Sequence, residues 1–148
     1  MQTLEIVWQR LLSLGQTCDR CAATELALQQ ALETLQQVLA PLQMQVVLHR
    51  QPLSLEQFNQ DPGASNRIWI ADQPLEAWLG ASTGSSPCCS VCGDAACRTL
   101  ECGNRSYEAI PPQLIIKAGL LAAAQQMLAP FPATTQGANQ TRLPGPTA

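Results

Sequence analysis

The stretch that decides the fold runs from Thr3 to Cys21. It opens Thr3-Leu4-Glu5-Ile6-Val7-Trp8-Gln9-Arg10 and, after a link through Gly15 and Gln16, closes Thr17-Cys18-Asp19-Arg20-Cys21. In the first part Leu4, Ile6 and Trp8 alternate with Glu5 and Gln9, the two-residue period of a strand with one apolar face. Thr17 is a suitable N-cap, and from Cys18 to Ala40 the period changes to that of a helix. Cys21, Leu28, Leu32, Leu35 and Leu39 fall on one stripe, with Gln29, Gln30, Glu33, Gln36 and Gln37 mostly outside it. Pro41 stops the helix, and Met44 to Arg50 returns to alternation. A strand, a long helix and a second strand call for a right-handed crossover to a parallel neighbour.

Working outward, Pro52 to Gly63 reads as a polar loop with one helical turn, and Arg67 to Ala71 as a third strand. Leu75 to Leu79 is either a helical turn or a short strand, because five residues do not separate the two periods. Gly80 to Gly93, rich in Gly, Ser and Pro, reads as a loop. Arg98 to Glu101 and Arg105 to Ile110 flank Gly103-Asn104, a hairpin signal. Pro111 and Pro112 suit the first turn of a closing helix that continues through Leu114 to Leu128. The expected architecture is α/β: a small mixed sheet with a helix on each face, over residues 1–129. Residues 80–104 form a cysteine-rich insertion, and residues 130–148 have little to bury and read as a disordered tail.

Composition narrows the function. The chain has 148 residues, 46% hydrophobic and 13% charged, with a net charge of −3 from 8 basic and 11 acidic residues. That balance gives no electrostatic footprint for nucleic acid. No apolar stretch approaches the roughly 20 residues of a membrane span, so no membrane partner is expected. Met1 to Arg10 carries Glu5 and lacks the features of a secretory leader, so the expected location is cytoplasmic.

Seven cysteines against one histidine, His49, put any chemistry on sulfur. An odd count in a chain read as cytoplasmic points to metal binding or redox chemistry over a disulfide framework. Cys18 and Cys21 stand at a helix start, where unpaired amides and the helix dipole favour a thiolate, and Arg20 adds positive charge. Cys21 lies on the buried stripe. An exposed attacking sulfur with a sheltered resolving one suits a dithiol–disulfide couple; the same pair also offers two thiolates to a soft metal.

The Cys-x-x-Cys after a strand–helix turn resembles the thioredoxin fold. More narrowly, four segments are similar to an uncharacterised family of small prokaryotic thioredoxin-like proteins, a domain of unknown function. They are Thr17-Cys18-Asp19-Arg20-Cys21, Ser65-Asn66-Arg67-Ile68, Pro87-Cys88-Cys89-Ser90-Val91-Cys92-Gly93 and Glu108-Ala109-Ile110-Pro111. The resemblance covers about Leu4 to Leu128 and implies a fold more than an activity. The chain departs from ordinary thioredoxins in having Asp19-Arg20 between the cysteines, Thr17 before them, and Ser65-Asn66 where those proteins carry a cis-proline. That proline helps to shield the dithiol from metals, so its replacement raises the weight of metal binding.

A second motif follows. Cys88, Cys89, Cys92 and Cys97 are four closely spaced sulfurs, with Gly93 loosening the backbone, and they could hold Zn(II), Cu(I) or, least well matched, an iron–sulfur cluster. One zinc ion or one disulfide pinning a long loop is the structural alternative. The thioredoxin-like strand order would put Cys97 at the same end of the sheet as Cys18. Cys102 in the hairpin turn is incidental, His49 is expected to be solvated, and Trp8, Trp69 and Trp78 are expected to be packing residues.

The leading expectation is a thiol–disulfide redox protein with Cys18 attacking and Cys21 resolving, acting on a protein or small-molecule thiol or disulfide. The alternative is thiolate-based binding of a thiophilic ion (Zn, Cu(I), mercury or arsenic species) for structure, sensing or detoxification. No particular cofactor is implied beyond zinc or another thiophilic metal at Cys88, Cys89, Cys92 and Cys97.

Overall fold

The computed structural model describes residues 1–12, 19–87 and 96–128. Strand β1 (Gln2–Leu11) lies at the centre and buries Leu4, Ile6 and Trp8 on one face. The chain then forms helix α1 (Asp19–Leu39), which buries Cys21, Thr24, Ala27, Leu28, Ala31, Leu35 and Leu39 at three- and four-residue steps. Pro41 falls in a 3-10 turn over Ala40–Leu42, and left-handed Gln43 (φ 56°) closes it by returning its N–H to the Ala40 carbonyl. Strand β2 (Met44–Leu53) then runs parallel to β1 in unbroken register from Gln2↔Met44 to Leu11↔Leu53.

Helix α2 (Leu55–Gln60) starts at a capping box, in which Ser54 Oγ accepts from the Gln57 amide and Gln57 Oε1 accepts from the Ser54 amide. It buries Phe58. Strand β3 (Arg67–Ile70) pairs antiparallel with the free edge of β1, from Ile6↔Ile70 to Gln9↔Arg67. Strand β4 (Gln73–Pro74) turns back on β3, giving the sheet order β2-β1-β3-β4. Leu75–Leu79, left open by periodicity, is helix α3, ended by left-handed Gly80 (φ 61°).

The expectation of one sheet is corrected here. Strands β5 (Ser82–Pro87), β6 (Ala96–Cys102) and β7 (Arg105–Tyr107) form a second, antiparallel sheet in the order β5-β6-β7. Residues 82–87, expected to be loop, pair with β6 from Ser82↔Glu101 to Pro87↔Ala96. Their Ser, Thr and Gly side chains carry no apolar alternation; the ladder itself holds them, as an edge strand with its proline at the end. Gly84 lies close against β6, and a Cβ there would fall 2.8 Å from both Thr99 Oγ1 and Glu101 Oε1, so those side chains would have to shift. The hairpin at Gly103-Asn104 forms as expected, though its second strand is shorter than Arg105 to Ile110.

Helix α4 (Pro112–Leu128) closes the described chain and buries Ile115, Ala118, Gly119, Ala122 and Ala123. Gly119 faces Leu35, with an added Cβ falling 2.6 Å from the Leu35 Cδ1 methyl. The two long helices therefore pack on each other over one side of the main sheet, not one on each face. Gln126 Nε2 donates to the Thr3 carbonyl and ties the far end of α4 to β1. Among the described residues no helix is long and apolar enough to cross a membrane. The expected tail, residues 130–148, lies outside the described residues.

Candidate functional site

The end of β1, the start of α1, the turn before β3 and the first residues of β6 meet at one pole of the molecule. Cys21, in the first turn of α1, is 2% exposed, and its sulfur lies 3.9 Å from Ser65 Oγ. Ser65 is itself 1% exposed and accepts the Leu11 amide at 3.0 Å, so its own proton is available to the sulfur. Next to it, Asn66 is left-handed (φ 62°) and its Oδ1 accepts from Trp8 Nε1 at 3.0 Å. The Ser65-Asn66 pair thus fixes the end of β1 with one side chain and its buried tryptophan with the other. One turn further along α1, buried Thr24 accepts the Ile110 amide at 3.3 Å, joining the helix start to the entry of α4.

Arg20 links the two cysteine motifs. Its Nη2 donates to Ser86 Oγ and to the Pro87 carbonyl at 2.8 Å, and pairs with Glu108 at 2.9 Å. Ser86 stands opposite Cys97 in the β5–β6 ladder, and Pro87 immediately precedes Cys88 in the sequence. Cys97 is 4% exposed and disulfide-bonded. One guanidinium thereby ties the start of α1 to β5, the strand paired with the one that carries Cys97. Arg98 fastens the same strand to the main body, donating to the Gly63 carbonyl at 2.7 Å and to Glu76 at 3.3 Å. Both arginines are mostly covered, at 12% and 15% side-chain exposure, where such charged hydrogen bonds count for more than on the surface.

Of the sequence-predicted site residues, Cys21 and Cys97 come to this pole. Cys18, Cys88, Cys89 and Cys92 lie outside the described residues. Cys102 ends β6 opposite Arg105, half-buried in the hairpin. His49 is exposed on β2, 3.9 Å from Glu5. Trp78 donates to the Ile70 carbonyl at 2.8 Å, and Trp69 is stacked under Arg67 at 4.5 Å, so all three tryptophans are packing residues. In the sequence Arg20 reads only as a local charge, Ser65 only as the residue standing in the place of a cis-proline, and Thr24 carries no signal. The available signal was a serine and an asparagine directly before a strand, a pair that turns the chain and bonds backbone groups.

The described residues therefore form a mixed α/β domain with two small sheets and four helices, and with buried sulfur at the pole where the sheets meet. Residues 4–119 match the family model described as domain of unknown function DUF2703, and the chain belongs to that family. A relative from Archaeoglobus fulgidus, described as an uncharacterized protein, is 42% identical over 112 residues, covering 76% of this chain and 82% of the relative. No solved structure matches.

Proposed function

We propose that this domain is a thioredoxin-like thiol–disulfide redox protein whose working pair is Cys18 and Cys21. The observation that carries the reading is the setting of Cys21: a sheltered sulfur in the first turn of α1, touching the hydroxyl of Ser65 directly before β3. Support comes also from the sheet order β2-β1-β3-β4, with β1 and β2 parallel and β3 and β4 antiparallel, which suits the thioredoxin arrangement.

In the reduced protein the Cys18 thiolate attacks one sulfur of a substrate disulfide. A mixed disulfide forms and one substrate thiolate leaves, to be protonated from solvent. The Cys21 thiolate then attacks the Cys18 sulfur, closing the Cys18–Cys21 disulfide and releasing the second substrate thiol. Two electrons pass from the pair to the substrate. The Ser65 hydroxyl is placed to hydrogen-bond the Cys21 sulfur when it carries negative charge.

The alternative use of the same sulfurs is capture of a thiophilic ion, favoured by Ser65 standing where the resemblance has a shielding proline. Anaerobic purification separates the two. The redox reading expects metal-free protein, a reversible Cys18–Cys21 disulfide by mass spectrometry, and loss of disulfide reduction in Cys18→Ser. Stoichiometric zinc or copper together with a Cys18 that resists thiol titration would overturn it in favour of ion binding.

A further inference from the structure

In the order β2-β1-β3-β4, β2 is a sheet edge, and among the described residues no strand pairs with its outer side. Three observations fix the direction of its backbone groups. The Gln43 carbonyl accepts from the Gln2 amide of β1 at 3.2 Å, so odd-numbered residues face inward. The carbonyl of even-numbered Val46 is instead reached by the Gln36 side chain at 3.4 Å. Pro52, which has no N–H to give, also falls at an even number and leaves the register with β1 unbroken. Met44, Val46, Leu48 and Arg50 therefore turn their N–H and C=O groups outward. The other free edges are short or blunted: β4 has two residues, one of them Pro74, β7 has three, and β5 is Ser, Thr and Gly ending on Pro87. Strand β2 runs for ten residues with neither a bulge nor a lysine, and such an edge recruits a further strand.

The sequence of β2 fits its own two-fold image. Antiparallel pairing centred on Val47 sets Met44 opposite Arg50 and Val46 opposite Leu48 of a second copy, all with outward backbone groups, so that each pair exchanges both N–H···O bonds. On the open face Val47 meets its own copy and Gln45 meets His49. Half-buried Val47 and Leu48 are covered, and Pro52 falls beyond the paired residues. No like charges face each other in this register, whereas a centre at His49 or Arg50 would set that residue against itself. Arg50 of the second copy comes beside a cavity of about 300 Å³ walled by Met1, Ala40, Met44 and Val46, which accepts its aliphatic stem. We propose that two copies of this chain join β2 to β2 in this register, making one continuous sheet across a two-fold axis. The pairing rests on the backbone and sequence of β2 and holds whatever chemistry the sulfurs perform.

The test is sedimentation equilibrium of the full chain from about 10 μM to about 1 mM, with non-reducing denaturing gels to show that no disulfide links the copies. A reversible monomer–dimer equilibrium is expected. It should weaken at least about tenfold in Val47→Lys, which sets like charges face to face at the centre of the pairing, and be unaffected by Gln113→Lys on the exposed side of α4. Amide hydrogen exchange locates the interface. As concentration rises, Met44, Val46, Leu48 and Arg50 should gain protection, while Gln45, Val47, His49 and Gln51, which face β1, stay unchanged. Should Val47→Lys not fold, that alternation in the unmodified protein decides. A chain monomeric throughout, a disulfide-linked dimer, a dimer without the alternating protection, or one as tight in Val47→Lys as in the parent would each overturn the pairing. Protection of the same amides by an added threonine–valine repeat peptide, in a chain that stays monomeric, would assign the edge to a foreign strand and overturn it too.

Discussion

Replacing Ser65 by alanine tests the junction on which the pole depends. Ser65 Oγ is the acceptor for the Leu11 amide at 3.0 Å and contacts Cys21 at 3.9 Å, and serine, leucine and cysteine are all buried. Alanine fills nearly the same space, so the change removes hydrogen bonds without opening a large cavity. It leaves the buried Leu11 N–H at the end of β1 without the acceptor it now has. An unsatisfied buried donor costs about 1–3 kcal/mol, and the sulfur contact is weaker, so about 1.5–3 kcal/mol is expected in total. Against an overall stability of roughly 5–15 kcal/mol, that is a large effect for the loss of one oxygen. Equilibrium urea unfolding under reducing conditions, followed by tryptophan fluorescence, measures it. The midpoint should fall with an unchanged slope, while Ser65→Thr, which keeps an oxygen, should recover part of the loss. A Ser65→Ala protein within about 0.5 kcal/mol of the parent, the range of ordinary surface changes, would show that the hydroxyl does not hold β1 to the turn and refute the reasoning.

Three further outcomes follow from other contacts. Leu35→Ala should cost about 2–5 kcal/mol in the parent but clearly less in a Gly119→Ala background, because the added methyl, 2.6 Å from Leu35 Cδ1, occupies the vacated space; additive losses in a double-mutant cycle would contradict this packing. Asn66→Gly keeps the left-handed backbone but strands the Trp8 indole N–H, so unfolding should show a loss of about 1–3 kcal/mol, with Asn66→Ala worse than glycine because of its Cβ. Glu101 accepts from Thr99 and Ser106, which hold its carboxyl below the usual glutamate range. With the folded value lowered, its contribution is present above the ordinary glutamate range and is lost as pH falls through the folded value; the urea midpoints of parent and Glu101→Gln should therefore converge on acidification.

The main sheet was legible because its signals are local. Leu4, Ile6 and Trp8 state a strand face, the stripe from Cys21 to Leu39 states a helix, and Pro41 marks its end. Residues 82–87 were opaque for the opposite reason. Nothing in Ser-Thr-Gly-Ser-Ser-Pro has a burial period, and the strand exists through its pairing with β6, a non-local fact. The same non-locality concealed the division into two sheets and the packing of α4 on α1. At the site, the spacing of the cysteines announced itself, but their supports did not. Arg20 reads in sequence as a charge beside a thiol, and only the fold sends it 67 residues away to Pro87.

Strand β3 is bracketed by left-handed residues: Asn66 on one side (φ 62°), Ala71 (φ 49°) and Asp72 (φ 62°) on the other. Sliding the strand by one position would demand that conformation of Arg67 or of β-branched Ile70, and would turn Ile68 and Ile70 away from the interior. The strand therefore has a single allowed seat along β1. Since Ser65 rides at its threshold, the distance between hydroxyl and sulfur is set by a backbone ratchet some residues away, and drift of β3 cannot loosen it.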